Sequence, residues 1–105
     1  MSDVFKALAD PTRRAILLRV AETPQAVNAL AEQFQMTRPA VSKHIRTLER
    51  AGLLRLEAGR DDGRQRICYA QLEAAGELRD YLNRLAAFWD GRLDGLGDFL
   101  AVENP

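Results

Sequence analysis

A mainly helical domain carrying one small β-hairpin is the fold class this sequence predicts, on three observations. Apolar residues recur at helical spacing through most of the chain, the period switches to two only between Leu54 and Tyr69, and Gly or Pro marks most of the places where one pattern gives way to another. With 105 residues, one domain over 1–105 is expected. Folding at that size hides roughly 65% of the surface that the unfolded chain exposes.

Val4, Phe5, Leu8 and Ala9 form the apolar side of a first short helix behind a Ser2 cap, and Asp10-Pro11 stops it. The Asp10 carboxylate can accept a hydrogen bond from the free amides of the next helix, and proline at a first helical position loses no useful donor. That second helix is expected from Pro11 to Ala21, buries Ile16, Leu17 and Val20, and breaks at Thr23-Pro24. In residues 26–35, Val27, Leu30, Ala31 and Phe34 fall at i, i+3, i+4 and i+7, which makes a third helix. A fourth follows after a short turn, with Thr37 as N-cap, Pro39 in the first turn, Val41, Ile45 and Leu48 as the stripe, and Gly52 as a left-handed C-cap. Helix, turn, helix thus occupies 26–51.

Beyond Gly52, Leu54 and Leu56 alternate with Arg55 and Glu57, and Ile67 and Tyr69 alternate with Arg66 and Cys68, around a charged tip from Gly59 to Gly63. A two-stranded hairpin over 54–70 results, and one of its faces must pack on the helices because an isolated hairpin is marginal in water. The last segment, 72–100, places Leu78, Tyr81, Leu82, Leu85, Phe88, Trp89, Leu93, Leu96, Phe99 and Leu100 in a nearly heptad stripe. That stripe is wider than a terminal helix needs in order to lie on a small core. Gly91, Gly95 and Gly97 each lower helix propensity by roughly 1 kcal/mol relative to Ala, so a kink or early fraying is expected near them.

Fifteen basic and fifteen acidic side chains give a net charge of zero, but the charge is divided along the chain. Residues 1–36 balance, 37–66 carry eight basic against four acidic groups, and 67–105 carry three basic against seven acidic. On the fourth helix, Pro39, Lys43, Arg46 and Arg50 lie opposite the apolar stripe, with Ser42 and Thr47 on its flanks. Such a face suits phosphates and base edges in a major groove, and it precedes a hairpin bearing Arg60, Arg64 and Arg66. A helix-turn-helix followed by a basic hairpin is the geometry of a groove reader with a wing on the DNA backbone. The competing reading is a helical dimerisation adaptor that uses the 78–100 stripe and binds no nucleic acid; the clustered arginines of the hairpin speak against it.

Other classes find no support. Ser42 and His44 stand two apart on a helix and face different directions, and there is neither a phosphate-binding Gly loop nor a metal cluster, so no enzyme and no cofactor are expected. A single cysteine, Cys68, forms no intrachain disulfide and no multi-Cys zinc site. With no export signal and no membrane-length apolar run, a cytoplasmic protein without membrane contact is expected. Cys68 reads as strand packing rather than a thiol sensor, and His44 as partly packed rather than base-reading. Phe88 and Trp89 read as interface core rather than as the lining of an effector pocket. Arg13 and Arg14 either touch phosphate or lie in solvent.

The runs Phe-Lys-Ala-Leu-Ala-Asp-Pro-Thr-Arg-Arg-Ala-Ile-Leu (5–17), Leu-Ala-Glu-Gln-Phe (30–34), Thr-Arg-Pro-Ala-Val-Ser-Lys-His-Ile-Arg-Thr-Leu-Glu-Arg-Ala-Gly-Leu-Leu (37–54) and Phe-Trp-Asp-Gly-Arg-Leu-Asp-Gly-Leu (88–96) carry a resemblance. Together they resemble the ArsR-type winged helix-turn-helix repressors, and most of all their metal-independent, SdpR-like autorepressor branch. The resemblance implies a homodimer joined through the first and last helices, with Val4, Phe5, Leu8, Leu78, Tyr81, Leu82, Leu85, Phe88, Trp89, Leu93 and Leu96 at the interface. It also implies that the 37–51 helix and the 54–70 wing bind double-stranded operator DNA through Thr37, Arg38, Pro39, Ser42, Lys43, Arg46, Thr47, Arg50, Arg60, Arg64 and Arg66. Many such repressors release DNA on binding an effector, whose identity here is unknown. Metal-sensing members carry a Cys-x-Cys that aligns with Ala26 and Asn28, so no metal is expected there.

Overall fold

A computed structural model describes residues 3–61 and 63–103, with side chains described as far as Asp90. The Ser2 cap, Asp62 in the hairpin tip, and the side chains of Leu93, Leu96, Phe99 and Leu100 lie outside the described residues. The chain divides into two compact units, Met1–Ala75 and Gly76–Pro105.

In the first unit α1 (Asp3–Ala7) is followed by α2 (Pro11–Glu22), with Pro11 at its first position and Asp10 as N-cap. The Asp10 carboxylate accepts from the Arg13 N–H at 3.0 Å. A short strand β1 (Gln25–Ala26) leads into α3 (Val27–Gln33), and α4 (Arg38–Arg50) begins after a four-residue connection. Thr37 caps α4 by accepting from the Ala40 N–H at 3.2 Å. At its other end the Leu53 N–H donates to the Leu48 carbonyl and the Gly52 N–H to the Glu49 carbonyl, with Gly52 at φ +80°. This pair of bonds is a Schellman closure, and the left-handed residue it requires is glycine.

Helix α3 closes the same way but on glutamine. The Met36 N–H reaches the Ala31 carbonyl and the Gln35 N–H the Glu32 carbonyl, with Gln35 at φ +52°. The turn between α3 and α4 therefore places a residue with a Cβ in the left-handed region, which costs backbone energy that glycine would not incur.

The hairpin is the expected one, β2 (Leu54–Ala58) against β3 (Arg66–Ala70), but β1 adds a third antiparallel strand in the order β1-β3-β2. Gln25 pairs with Cys68 and Ala26 with Ile67. Across the hairpin, Leu54 pairs with Ala70, Leu56 with Cys68 and Ala58 with Arg66, so these six share a face. Leu54 and Cys68 are fully buried there, whereas Ile67 and Tyr69 lie on the opposite face and are only half-buried. The apolar alternation read from Ile67 and Tyr69 is thus out of phase with the core. A buried thiol takes the inward position, and Tyr69 turns outward beneath the Arg55 guanidinium, 4.5 Å from its ring centroid.

The core of this unit is Ile16 and Val20 from α2, Leu30 from α3, Val41, Ile45 and Leu48 from α4, and Leu53, Leu54 and Cys68 at the sheet. Burying aliphatic side chains of this size stabilises a fold by roughly 1.5–3 kcal/mol each. No charged or polar residue is buried among the described residues. Val4, expected at a partner surface, is 4% exposed and belongs to this core, because α1 packs against α4. Phe5 and Leu8 on the same short helix are half-buried.

Arg13 turns back onto α1, and Arg14, which stays exposed, onto the turn that follows it. The Arg13 Nε donates to the Ala7 carbonyl at 2.7 Å and its Nη2 to the Lys6 carbonyl at 3.1 Å. Arg14 Nη1 donates to the Leu8 carbonyl at 2.8 Å. A five-residue helix leaves its last carbonyls short of intrahelical donors; Arg13 supplies two of them and Arg14 bonds the carbonyls of the turn beyond.

A single 3-10 turn (Leu72–Ala75) ends the first unit, and α5 (Gly76–Glu103) forms the second. The helical assignment of α5 continues through Gly91, Gly95 and Gly97 to Glu103, so the helix does not end early at them. Every residue from Tyr81 to Asp90 is exposed, including Tyr81, Leu82, Leu85, Phe88 and Trp89.

Candidate nucleic-acid interface

Helix α4 sorts its side chains by face. Val41, Ile45 and Leu48 are buried, while Pro39, Lys43, Arg46 and Arg50 on the far side are exposed. Ser42 is half-buried on one flank. Thr47, on the other, is half-buried too, and its hydroxyl donates to the Lys43 carbonyl at 3.2 Å. Thr47 and Arg50 border a hollow whose other wall is Asp3, Lys6 and Ala7, so this flank faces α1. Pro39, Lys43 and Arg46 are left as the open cationic strip of the helix.

A second cationic feature lies at the start of α4. Arg38, its first residue, and Arg64 and Arg66 of the wing line a cleft of about 180 Å³ together with Ala26 and Val27. Asn28 and Gln65 complete the lining. Ala26 and Asn28, the positions aligned with the metal-sensing Cys-x-Cys, line the same cleft. Arg60 is exposed at the wing tip and takes no part in this cleft. Arg55, although basic and in the wing, is engaged within it: its Nε lies 2.6 Å from Glu57 Oε2 while its guanidinium covers Tyr69.

His44, on the α1 side of α4, is half-buried, and its Nδ1 lies 3.4 Å from Arg13 Nη1. The Asp10 carboxyl is held below its ordinary value, first by the hydrogen bond from the Arg13 N–H and then by the charges of Arg13 and His44. Burial pushes the Cys68 thiol up to about 12, with the Glu49 charge adding to the effect, so the thiol is neutral and inward-facing. No cluster of His, Cys, Asp and Glu suited to a metal ion occurs among the described residues.

Two helices joined by a tight turn, the second with its polar side open, followed by a hairpin anchored to the same core, define a winged helix-turn-helix domain. A family model for a helix-turn-helix domain matches residues 8–57. The HTH-type transcriptional regulator Rv2034 of Mycobacterium tuberculosis is 38% identical over 95% of this chain and 88% of its own length. The ArsR family transcriptional regulator RHA00566 is similar in structure, with a TM-score of 0.72 and 38% identity over 84% of this chain and 88% of that one. The homodimeric winged helix-turn-helix DNA-binding domain of Mb0332 from Mycobacterium bovis superposes with a TM-score of 0.62 at 27% identity, over 81% of this chain and 76% of that one. The chain belongs to the ArsR-type winged helix-turn-helix transcriptional regulators.

Proposed function

We propose that this regulator is a homodimeric repressor that binds an imperfect inverted-repeat operator and performs no catalysis. The observation that carries this reading is the open strip of α4: Pro39, Lys43 and Arg46 are exposed directly opposite the buried Val41, Ile45 and Leu48. An α-helix so anchored presents its cationic side to a major groove, where Lys and Arg pair with guanine edges. Thr37, Arg38 and Ser42 sit at or near the N-terminal end, which in helix-turn-helix proteins lies deepest in the groove. Arg60, Arg64 and Arg66 on the wing, and Arg50 farther along α4, are assigned to backbone phosphates; Thr47, turned toward α1, has the weakest claim.

Dimerisation is assigned chiefly to α5, through Leu78, Tyr81, Leu82, Leu85, Phe88 and Trp89, with Phe5 and Leu8 of α1 in the same reading. That the solved relative from Mycobacterium bovis is homodimeric supports it. Two recognition helices related by a two-fold axis then enter successive major grooves about 34 Å apart. No helix is long and apolar enough to cross a membrane among the described residues, and a cytoplasmic location follows from the proposed work on DNA.

The test is an electrophoretic shift titration on the DNA upstream of the chain's own gene. Replacing Lys43 or Arg46 with Ala is expected to weaken specific binding by about 1–3 kcal/mol where the side chain reaches a base edge. Equal affinity of wild type and the Lys43/Arg46 double variant for that DNA defeats the assignment of α4. The adaptor alternative predicts no shift at any salt concentration.

A further inference from the structure

One guanidinium ties three elements together. Arg13, in the first turn of α2, donates from Nε to the Ala7 carbonyl at 2.7 Å and from Nη2 to the Lys6 carbonyl at 3.1 Å, so two of its nitrogens are fixed on α1. Its remaining nitrogen, Nη1, lies 3.4 Å from Nδ1 of His44 on α4, 31 residues away in sequence. Arginine has no acceptor, so this contact is a hydrogen bond only when Nδ1 is bare, in the neutral imidazole with its proton on Nε2. A protonated ring carries N–H on both nitrogens and sets a second cation against the guanidinium. His44 stands between Lys43, a member of the exposed cationic strip, and Ile45, which is buried in the core.

Charged groups come to α4 from each element packed on it. Helix α2 and its cap bring Arg13 and Asp10, whose carboxyl feels the charges of both Arg13 and His44. Helix α1 brings Asp3 and Lys6, which border the hollow at Thr47 and Arg50, farther along α4. Helix α3 offers the exposed Glu32, and β2 offers Arg55 and Glu57, which pair with each other. On α4 itself the nearest charges in sequence are Lys43 and Arg46.

We propose that Arg13 is a positioning residue for the reading of DNA: acting through His44 it sets α4 against α1, and it does so only while His44 is neutral. The positioning claim rests on the DNA-binding reading; the Arg13–His44 joint itself does not. The sign of the pH effect separates two cases. Acidification that merely charges His44 adds a cation to a helix that meets phosphates and tightens binding, whereas opening the joint weakens it. His44 is the only histidine in the chain, and histidine is the side chain that ordinarily titrates between pH 5 and 8, so the effect is traced to one ring.

The experiment has two arms. In the first, the full chain without DNA is isotope-labelled in its single imidazole and observed by NMR at about pH 8, where the ring is neutral. One tautomer with Nδ1 bare is expected in the wild type, and Arg13→Met is expected to admit the second, since the donor to Nδ1 is gone. Both tautomers in the wild type, or the same single tautomer in the variant, overturns the joint. Should Arg13→Met fail to fold, Arg13→Lys carries the same expectation, because one ammonium does not replace the planar fork.

In the second arm, operator shift titrations are run at about pH 8 and about pH 5.5 on wild type, Arg13→Lys and His44→Asn. Asparagine keeps an acceptor oxygen near the place of Nδ1 and does not titrate. On acidification the operator Kd of the wild type is expected to rise about three- to tenfold more than that of His44→Asn, the range for one lost hydrogen bond. Arg13→Lys is expected to bind more weakly at the higher pH and to lose that excess; a purely structural arginine would leave the pH profile unchanged. Equal profiles for wild type and His44→Asn, or tighter wild-type binding in acid, overturns the positioning claim. If the wild type binds no operator at either pH, the DNA-binding reading fails and the positioning claim with it, while the first arm still decides whether the joint exists.

Discussion

At the scale of single residues, the structure assigns plain roles to side chains that the sequence left open. Cys68 lies at the centre of the sheet, fully buried, with its thiol raised to about 12. It is expected to resist a disulfide exchange reagent in the native protein and to react fully in denaturant, with native labelling no faster than local opening; prompt native labelling would mean that the strand is not packed as described. Gln35 occupies a left-handed C-cap position at φ +52°. Gln35→Gly removes the Cβ cost and is expected to raise stability by about 0.5–1 kcal/mol, less what the freer unfolded chain takes back, as read from urea unfolding. Arg13 and Arg14 could not be read from sequence because a pair of arginines near a helix start looks the same whether it meets phosphate or the carbonyls of the helix before it. Only the fold brings those carbonyls within 2.7–3.1 Å.

Among the elements, the helices were legible because each has both a period and a chemical stop. Asp10-Pro11, Thr37 and Gly52 mark the boundaries of α2 and α4 to within a residue. Asp10 also confers a pH dependence. Its folded pKa is depressed, so the stabilisation it contributes is complete above the unfolded value and is lost as pH falls through the lowered one. Thermal melts below pH 3.8 are therefore expected to fall more steeply for wild type than for Asp10→Asn, which keeps a capping oxygen without titrating. Strand β1 was illegible since two residues, Gln25 and Ala26, show no alternation and are recognised only by pairing with β3. The wing itself was legible, but not which side of it faces inward. Ile67 and Tyr69 are the more apolar pair, yet the register with Leu54 and Leu56 puts Cys68 inside.

Taken whole, the molecule is neutral only as a sum. The cationic segment 37–66 holds both the open strip of α4 and the wing, while the acidic segment 67–105 holds α5. A dimer that meets DNA with the first segment should show a salt dependence typical of several phosphate contacts despite zero net charge. The exposed Tyr81, Leu82, Leu85, Phe88 and Trp89 give α5 an apolar surface in need of cover. Trp89→Asp is expected to convert dimers to monomers in sedimentation velocity runs, and an unchanged dimer would remove this part of α5 from the interface.

The small strand β1 has a mechanical consequence. It pairs with β3 on one side and continues at Val27 directly into α3 on the other. The wing is thus tied through β3 to the segment that leads into α3. Because this tie is the lead-in to α3, the proposed binding mode predicts that a tilt of α3 moves the wing as well, coupling grip on the backbone to reading of the groove.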